Sequence, residues 1–156
     1  MRLVLYQPEI AQNTGTLLRL AACMQIGVDI VGPCGFALSD RQLKRSGMDY
    51  VNHVEKVLYD SWDDYKRSKP KRLILLDTKA TISYADFQFL PDDSLMVGSE
   101  GQGVPDSVYQ ETDHQVLIPM HPSLRSLNVA ISAAMVLGEA LRQTKGFWFD
   151  QGKNIG

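Results

Sequence analysis

The chain is poor in several things that would announce a function. It has only two cysteines, Cys23 and Cys34, in 156 residues. They lack the CxxC spacing of a zinc site or a dithiol redox motif, so both read as plain reduced thiols. Its three histidines, His53, His114 and His121, have no second His or Cys at ligand spacing, and no metal centre is expected. No stretch reaches the roughly 18 apolar residues that a membrane span needs. Nor is there an excess of one charge: 16 Lys and Arg face 18 Asp and Glu, a net charge of −2. Proteins that live on DNA or RNA are usually more basic, so contact with nucleic acid would have to use a local patch. The opening "MRLVLYQPEI" runs straight into a strand-like segment without the apolar core and cleavage site of a signal peptide. A cytoplasmic protein is expected.

What is present is an ordinary globular composition, 44% apolar and 22% charged, sized for one domain over residues 1–156. Arg2–Tyr6 reads as a strand. In "NTGTLLRLAACMQIG", Leu17, Leu18, Ala21, Ala22 and Ile26 recur at helical spacing. Asn13 or Thr14 is the expected cap, and Gly27 the expected stop. "VDIVG" is a second strand and residues 53–59 a third. Ser39 and Gln42 resemble a capping box for a short helix in "DRQLKRSG", and Ser61 caps another in "WDDYKRSK". "RLILLDT", "SLMVGSE" and "HQVLIPM" are apolar runs of the kind found in strands buried on both faces. Pro105 marks a helix start. The last helix is expected over about residues 126–144, with the aromatics of the tail packed on the body. Strands alternating with helices predict an α/β fold: a single domain with a mostly parallel sheet flanked by helices on both faces.

In such sheets, ligands collect beyond the carboxyl ends of the strands. The segments found there are "QPEIAQNTGTLLR", "DTKAT", "GSEGQGVP" and "HPSLRSLN". The glycine loop with Gly98, Gly101 and Gly103 is not a phosphate loop. It lacks the GxGxxG and GK[ST] spacings, and Glu100 and Asp106 would repel a phosphate. A neutral or cationic ligand suits it better, and a plain tight turn is the alternative. Arg19 lies one helical turn from Thr16, near the loop end of its helix; alone it reads as a surface arginine. Arg41, Lys44 and Arg45, and the run "YKRSKPKR", are solvated charge or RNA-facing patches.

Taken together, Asn13-x-Gly15-x3-Arg19, "LMVGSEGQGVP" and "IPMHPSLRSLNVAISAAMVLGEAL" resemble the three motifs of the SPOUT superfamily of RNA methyltransferases, in its SpoU branch of ribose 2′-O-methyltransferases. The opening "LYQPEIAQNTGTLLRL", "FALSDRQLKRSGMDY" and the small size resemble its TrmL (YibK-like) family, over about residues 2–143. The resemblance implies an α/β domain with a C-terminal deep trefoil knot, a homodimer, and methyl transfer from S-adenosylmethionine to the wobble nucleotide of tRNA. It implies a cofactor pocket of Leu76, Asp77, Gly98, Glu100, Gly103, Ile118, Met120, Ser126 and Leu127. It assigns catalysis to Arg19, Asn13 and Asn128, and RNA contact to Arg41, Lys44, Arg45 and Arg125. It also implies that Ala133, Ala134 and Gly138 permit close approach of a second subunit. Cys23, Ala130 and Gly138 depart from residues common in the family, which bears on the RNA substrate and not on the cofactor. Three other readings stay open from the residues: the same chemistry at another tRNA or rRNA position, a non-catalytic cofactor- or RNA-binding module, and a nucleotide-binding α/β protein.

Overall fold

The computed structural model describes residues 1–38, 41, 45 and 52–148. Six strands form one sheet: β1 (Arg2–Tyr6), β2 (Gly27–Val31), β3 (Lys56–Tyr59), β4 (Leu73–Leu76), β5 (Ser94–Val97) and β6 (His114–Val116). Their order is β3-β2-β1-β5-β4-β6, and every pairing is parallel. The four described helices are α1 (Ala11–Met24), α2 (Trp62–Arg67), α3 (Asp106–Glu111) and α4 (Val129–Thr144).

Alternation along the strands divides the core in two. Leu3 and Leu5 of β1, Ile74 of β4, and Leu95 and Val97 of β5 face one side, where they pack with Leu17, Leu18 and Ala21 of α1 and Ala133, Val136, Leu137 and Ala140 of α4. Val4 and Tyr6, Leu73 and Leu75, and Met96 point the other way, onto Tyr65 of α2 and Val108 of α3. A period of two sends successive side chains to opposite faces. With both faces covered, the central strands must be apolar throughout, which is why they read as unbroken hydrophobic runs. The expectation of a parallel sheet between two helical layers therefore holds, and the sheet is parallel throughout.

Several local expectations are corrected. α1 starts at Ala11, so Asn13 lies inside the helix and caps nothing; Ile10 is the N-cap and offers no side-chain bond. The helix stops at Gln25, whose backbone turns left-handed (φ 54°), and Gly27 instead opens β2. β3 begins at Lys56, three residues later than expected. α4 begins at Val129, because the Asn128 side chain accepts hydrogen bonds from the Ala130 and Ile131 amides and so sets the first turn. Ser61 does cap α2, through the Asp64 amide. Phe147 and Trp148 are 47% and 65% exposed, so a large part of each ring stays open to solvent. Ser39 and Gln42 lie outside the described residues, as does most of the short helix expected around them. Among the described residues no helix is long and apolar enough to cross a membrane.

The amino-terminal edge of the sheet is held by ion pairs. Arg2 bonds Asp29 through two nitrogens, at 3.0 and 2.7 Å, tying β1 to β2. Arg72 bonds Asp93 at 2.7 and 2.6 Å, and the same carboxylate accepts from the Leu90 amide at 2.7 Å. The Asp93 side chain is 2% exposed and that of Arg72 27%. Removing one member of such a pair strands the other, so Asp93→Ala should cost about 3 kcal/mol. The check is urea denaturation, with a lowered midpoint and an unchanged slope expected.

Candidate functional site

The strand order reverses at β1. β2 and β3 extend to one side of it, and β5, β4 and β6 to the other. At such a switch point the loops leaving two neighbouring strands separate and open a crevice at the carboxyl ends. A cavity of about 480 Å³ lies there. Its wall comes from the start of α1 (Ile10, Asn13), the turn after β4 (Leu76 to Lys79), the glycine loop after β5, and the segment leading into α4.

The glycine loop folds back on itself. The Ser99 amide donates to the Gly103 carbonyl at 3.0 Å, and the Gly103 amide to the Ser99 carbonyl at 2.9 Å. Gly103 has φ +66°, and a Cβ on Gly98 would lie 2.6 Å from the Gly103 carbonyl carbon. Both glycines are therefore required by geometry, one for its left-handed backbone and one for a backbone-to-backbone approach. The turn after β4 is set by Asp77, whose Oδ1 accepts from the Lys79 amide at 2.8 Å.

Polar side chains join these loops. Asn128 Nδ2 donates to Asn13 Oδ1 at 3.1 Å, and Asn13 Nδ2 donates to Glu100 Oε1 at 3.4 Å. Glu100 also accepts from the Glu9 and Ile10 amides, at 2.8 and 3.3 Å. It places a carboxylate at the amino end of α1, a helix with no acidic residue in its own first turn. Burial, and then the nearby Glu100, push the Cys34 thiol up from its ordinary pKa. Lys79 also lines the cavity, and its Nζ lies 3.6 Å from Asp106.

All nine residues singled out for a cofactor (Leu76, Asp77, Gly98, Glu100, Gly103, Ile118, Met120, Ser126 and Leu127) line this one cavity, as do Asn13 and Asn128. Arg19 does not. It is exposed on α1, eight residues beyond Ala11, which is roughly 12 Å along the axis and not at the loop end. Arg125 is exposed next in the chain to the cavity residue Ser126, Arg45 is exposed and lines a second cavity that Ile10 also lines, and Arg41 is exposed; Lys44 lies outside the described residues. The assigned pocket left out Thr78, Lys79 and Ser132, which also stand in the wall. Sequence reasoning missed the capping role of Asn128, although an Asn directly before an apolar helical run is a start signal. Among the described residues no cluster of His, Cys, Asp or Glu could hold a metal ion.

The class this geometry defines is an α/β protein that holds a small ligand at the switch point of a parallel sheet. The model of the SpoU rRNA methylase family matches residues 1–138, and the chain belongs to that family. It is 50% identical over 144 residues, 90% of each chain, to a tRNA (cytidine(34)-2′-O)-methyltransferase of Beijerinckia indica. It is 34% identical to the enzyme of that name in Escherichia coli K12, over 92% of this chain and 93% of the other. A solved structure described as giving insight into 2′-OH methylation of C/U34 on tRNA superposes with a TM-score of 0.88 at 37% identity, covering 93% and 96% of the two chains. The SpoU methyltransferase AviRb of Streptomyces viridochromogenes, in complex with AdoMet, superposes with a TM-score of 0.80 at 26% identity, over 92% of this chain and 60% of that one.

The Gly98–Gly103 contact yields a direct test. In Gly98→Ala the new methyl meets backbone that cannot swing away, so stability should fall by about 2 kcal/mol. Urea denaturation measures this, and an unchanged midpoint would contradict the close approach.

Proposed function

We propose that this protein is an S-adenosylmethionine-dependent tRNA 2′-O-ribose methyltransferase that acts on the wobble nucleotide, cytidine or uridine 34. The observation that carries the proposal is the cavity at the switch point, where Asn13, Glu100 and Asn128, one from each of the three motifs, are hydrogen-bonded in series. Relatives similar to this chain over nine-tenths of their length are, by name, tRNA (cytidine(34)-2′-O)-methyltransferases.

The residues present fit the cofactor. Asp77 and Glu100 outnumber Lys79 among the charged groups of the wall, which suits a cation without phosphate. When bound, S-adenosylmethionine supplies an activated methyl group on a sulfonium. Leu76, Asp77, the backbone from Gly98 to Gly103, Ile118, Met120, Ser126 and Leu127 are the residues that would hold it. A ribose 2′-hydroxyl is a weak nucleophile, and its proton must leave. The Arg19 guanidinium stays protonated at any working pH and is a poor base. It stands on α1 outside this cavity, so of its two possible roles, easing loss of that proton or holding the adjacent phosphate, the second fits its position. Asn13 and Asn128 orient the substrate side of the site through their mutual hydrogen bond, and Arg125, Arg41, Lys44 and Arg45 contact RNA. Alignment of the partners is the main catalytic contribution, worth roughly 7–11 kcal/mol in well-oriented reactions.

Three further features belong to the same reading. The whole chain acts as one methyltransferase domain in the cytoplasm. Its C-terminal part is threaded as a trefoil knot; supporting this, the chain runs beside residues 82–84 at Leu117 and then lines the same cavity as the two preceding loops. The protein works as a homodimer. Leu127, Ile131 and Met135, spaced four apart, are 41%, 56% and 40% exposed, and Leu124 beside them is 68% exposed. Ala134 is exposed on the same helix and the space around Gly138 is open, so a second copy can approach closely.

The deciding experiment is methyl transfer from labelled S-adenosylmethionine to tRNA from a strain lacking the gene, followed by nucleoside mass spectrometry. A 2′-O-methylated pyrimidine at the wobble position is expected. Methyl transfer to ribosomal RNA alone would favour the substrate in the family's description instead. Arg19→Ala should lower kcat by a factor of about 100 without weakening cofactor binding by calorimetry. Light scattering at micromolar concentration should give twice the 17.4 kDa chain mass, and Ile131→Asp should give the single chain. A wild-type monomer would exclude the dimer.

A further inference from the structure

A second cavity, of about 630 Å³, opens beside the first. Glu9, Ile10, Ala11, Gln12, Gly35, Phe36 and Arg45 line it, and Ile10 lines both cavities. Two backbone contacts bring the segments of the second cavity together. The Gly35 amide donates to the Pro8 carbonyl at 2.9 Å. A Cβ on Gly35 would stand 2.9 Å from the Glu9 Cα, so the two backbones touch here. Glu9 is itself held by the bond from its amide to Glu100 Oε2, which ties the second cavity to the first. Phe36 is anchored on the core while its ring lines the cavity.

The Glu9 carboxylate is exposed and engaged by no hydrogen bond or ion pair among the described residues. One of its oxygens lies 3.1 Å from where a Cβ of Gly101 would be, at the rim of the first cavity. A carboxylate without a partner among the described residues, with an aromatic ring and an arginine lining the same cavity, matches the exocyclic amine, the ring and the phosphate of a cytidine nucleotide. Aromatic side chains stack unpaired bases and tolerate any of them. A carboxylate discriminates: it accepts from the cytosine N4 amine and repels the uracil O4 carbonyl.

We infer that this second cavity is the base subsite for the target nucleotide, and that Glu9 makes it favour cytosine over uracil. The base stacks on Phe36, its N4 amine donates to Glu9, and Arg45 takes a flanking phosphate. Ile10, 47% exposed between the cavities, lies under the ribose and lets the 2′-hydroxyl reach the first cavity. This inference rests on the proposed methyltransferase function.

The test uses one tRNA purified from a strain lacking the gene, carrying either C or U at the wobble position. Wild-type protein should show the higher kcat/KM on C. Glu9→Gln can turn its amide either way, so the C-to-U ratio should fall by about tenfold, with cofactor affinity by calorimetry unchanged. Phe36→Leu keeps an apolar anchor and removes the ring, and should raise KM for both tRNAs without changing their ratio. Equal wild-type activity on C and U, or a ratio unmoved by Glu9→Gln, would overturn the subsite. No methyl transfer to either tRNA would overturn the function and the subsite together, so the two failures are distinguishable.

Discussion

The series of hydrogen bonds from Asn128 to Asn13 to Glu100 is the constraint on which the site depends. It links three stretches of chain that are remote in sequence: the amino-terminal helix, the loop after β5 and the start of α4. Two of its three residues also have a local duty. Asn128 caps α4, and Glu100 holds the two amides that precede α1. Loss of either of these two therefore frees a helix terminus and a cavity wall together.

The sheet supplies the frame for that network. With both faces occupied by helices, a parallel sheet leaves only its two ends open. The amino-terminal end is closed by Arg2 with Asp29 and by Arg72 with Asp93. The carboxyl end carries the glycine loop and the reversal of strand order, and both cavities lie there. Cohesion and ligand binding thus use opposite ends of the same strands, and the site can vary without disturbing the ion pairs.

Charge placement separates the possible ligands more sharply than net charge does. A near-neutral chain says little about its partner. Within the first cavity, carboxylates dominate and the glycine loop offers no phosphate cradle, as expected for a sulfonium cofactor. Arginines stand outside it, at positions 19, 41, 45 and 125, where a polyanion has access.

Much of this was legible in the residues themselves. Unbroken apolar runs such as residues 73–76 and 94–97 imply a sheet covered on both faces, and the alternation of strands and helices implies parallel pairing. The nine cofactor-pocket residues came from the motif resemblance, and the fold brings all of them to one cavity. Other features are set by contacts between distant segments, which a local pattern does not encode. Asn13 looked like a cap because caps are local, yet its partners are Glu100 and Asn128. Glu100 looked like a ligand group, yet its oxygens are engaged by the chain's own amides and by Asn13. Arg19 looked close to the loop, yet two turns of helix carry it away from the cavity. The sequence by itself determined the layers, the strands and the glycines, because these follow from periodicity and from the freedom of a single residue. The tertiary structure alone decided which loops meet, which polar groups pair, and that a second cavity containing Glu9 adjoins the first, because these depend on the order in which parallel strands assemble.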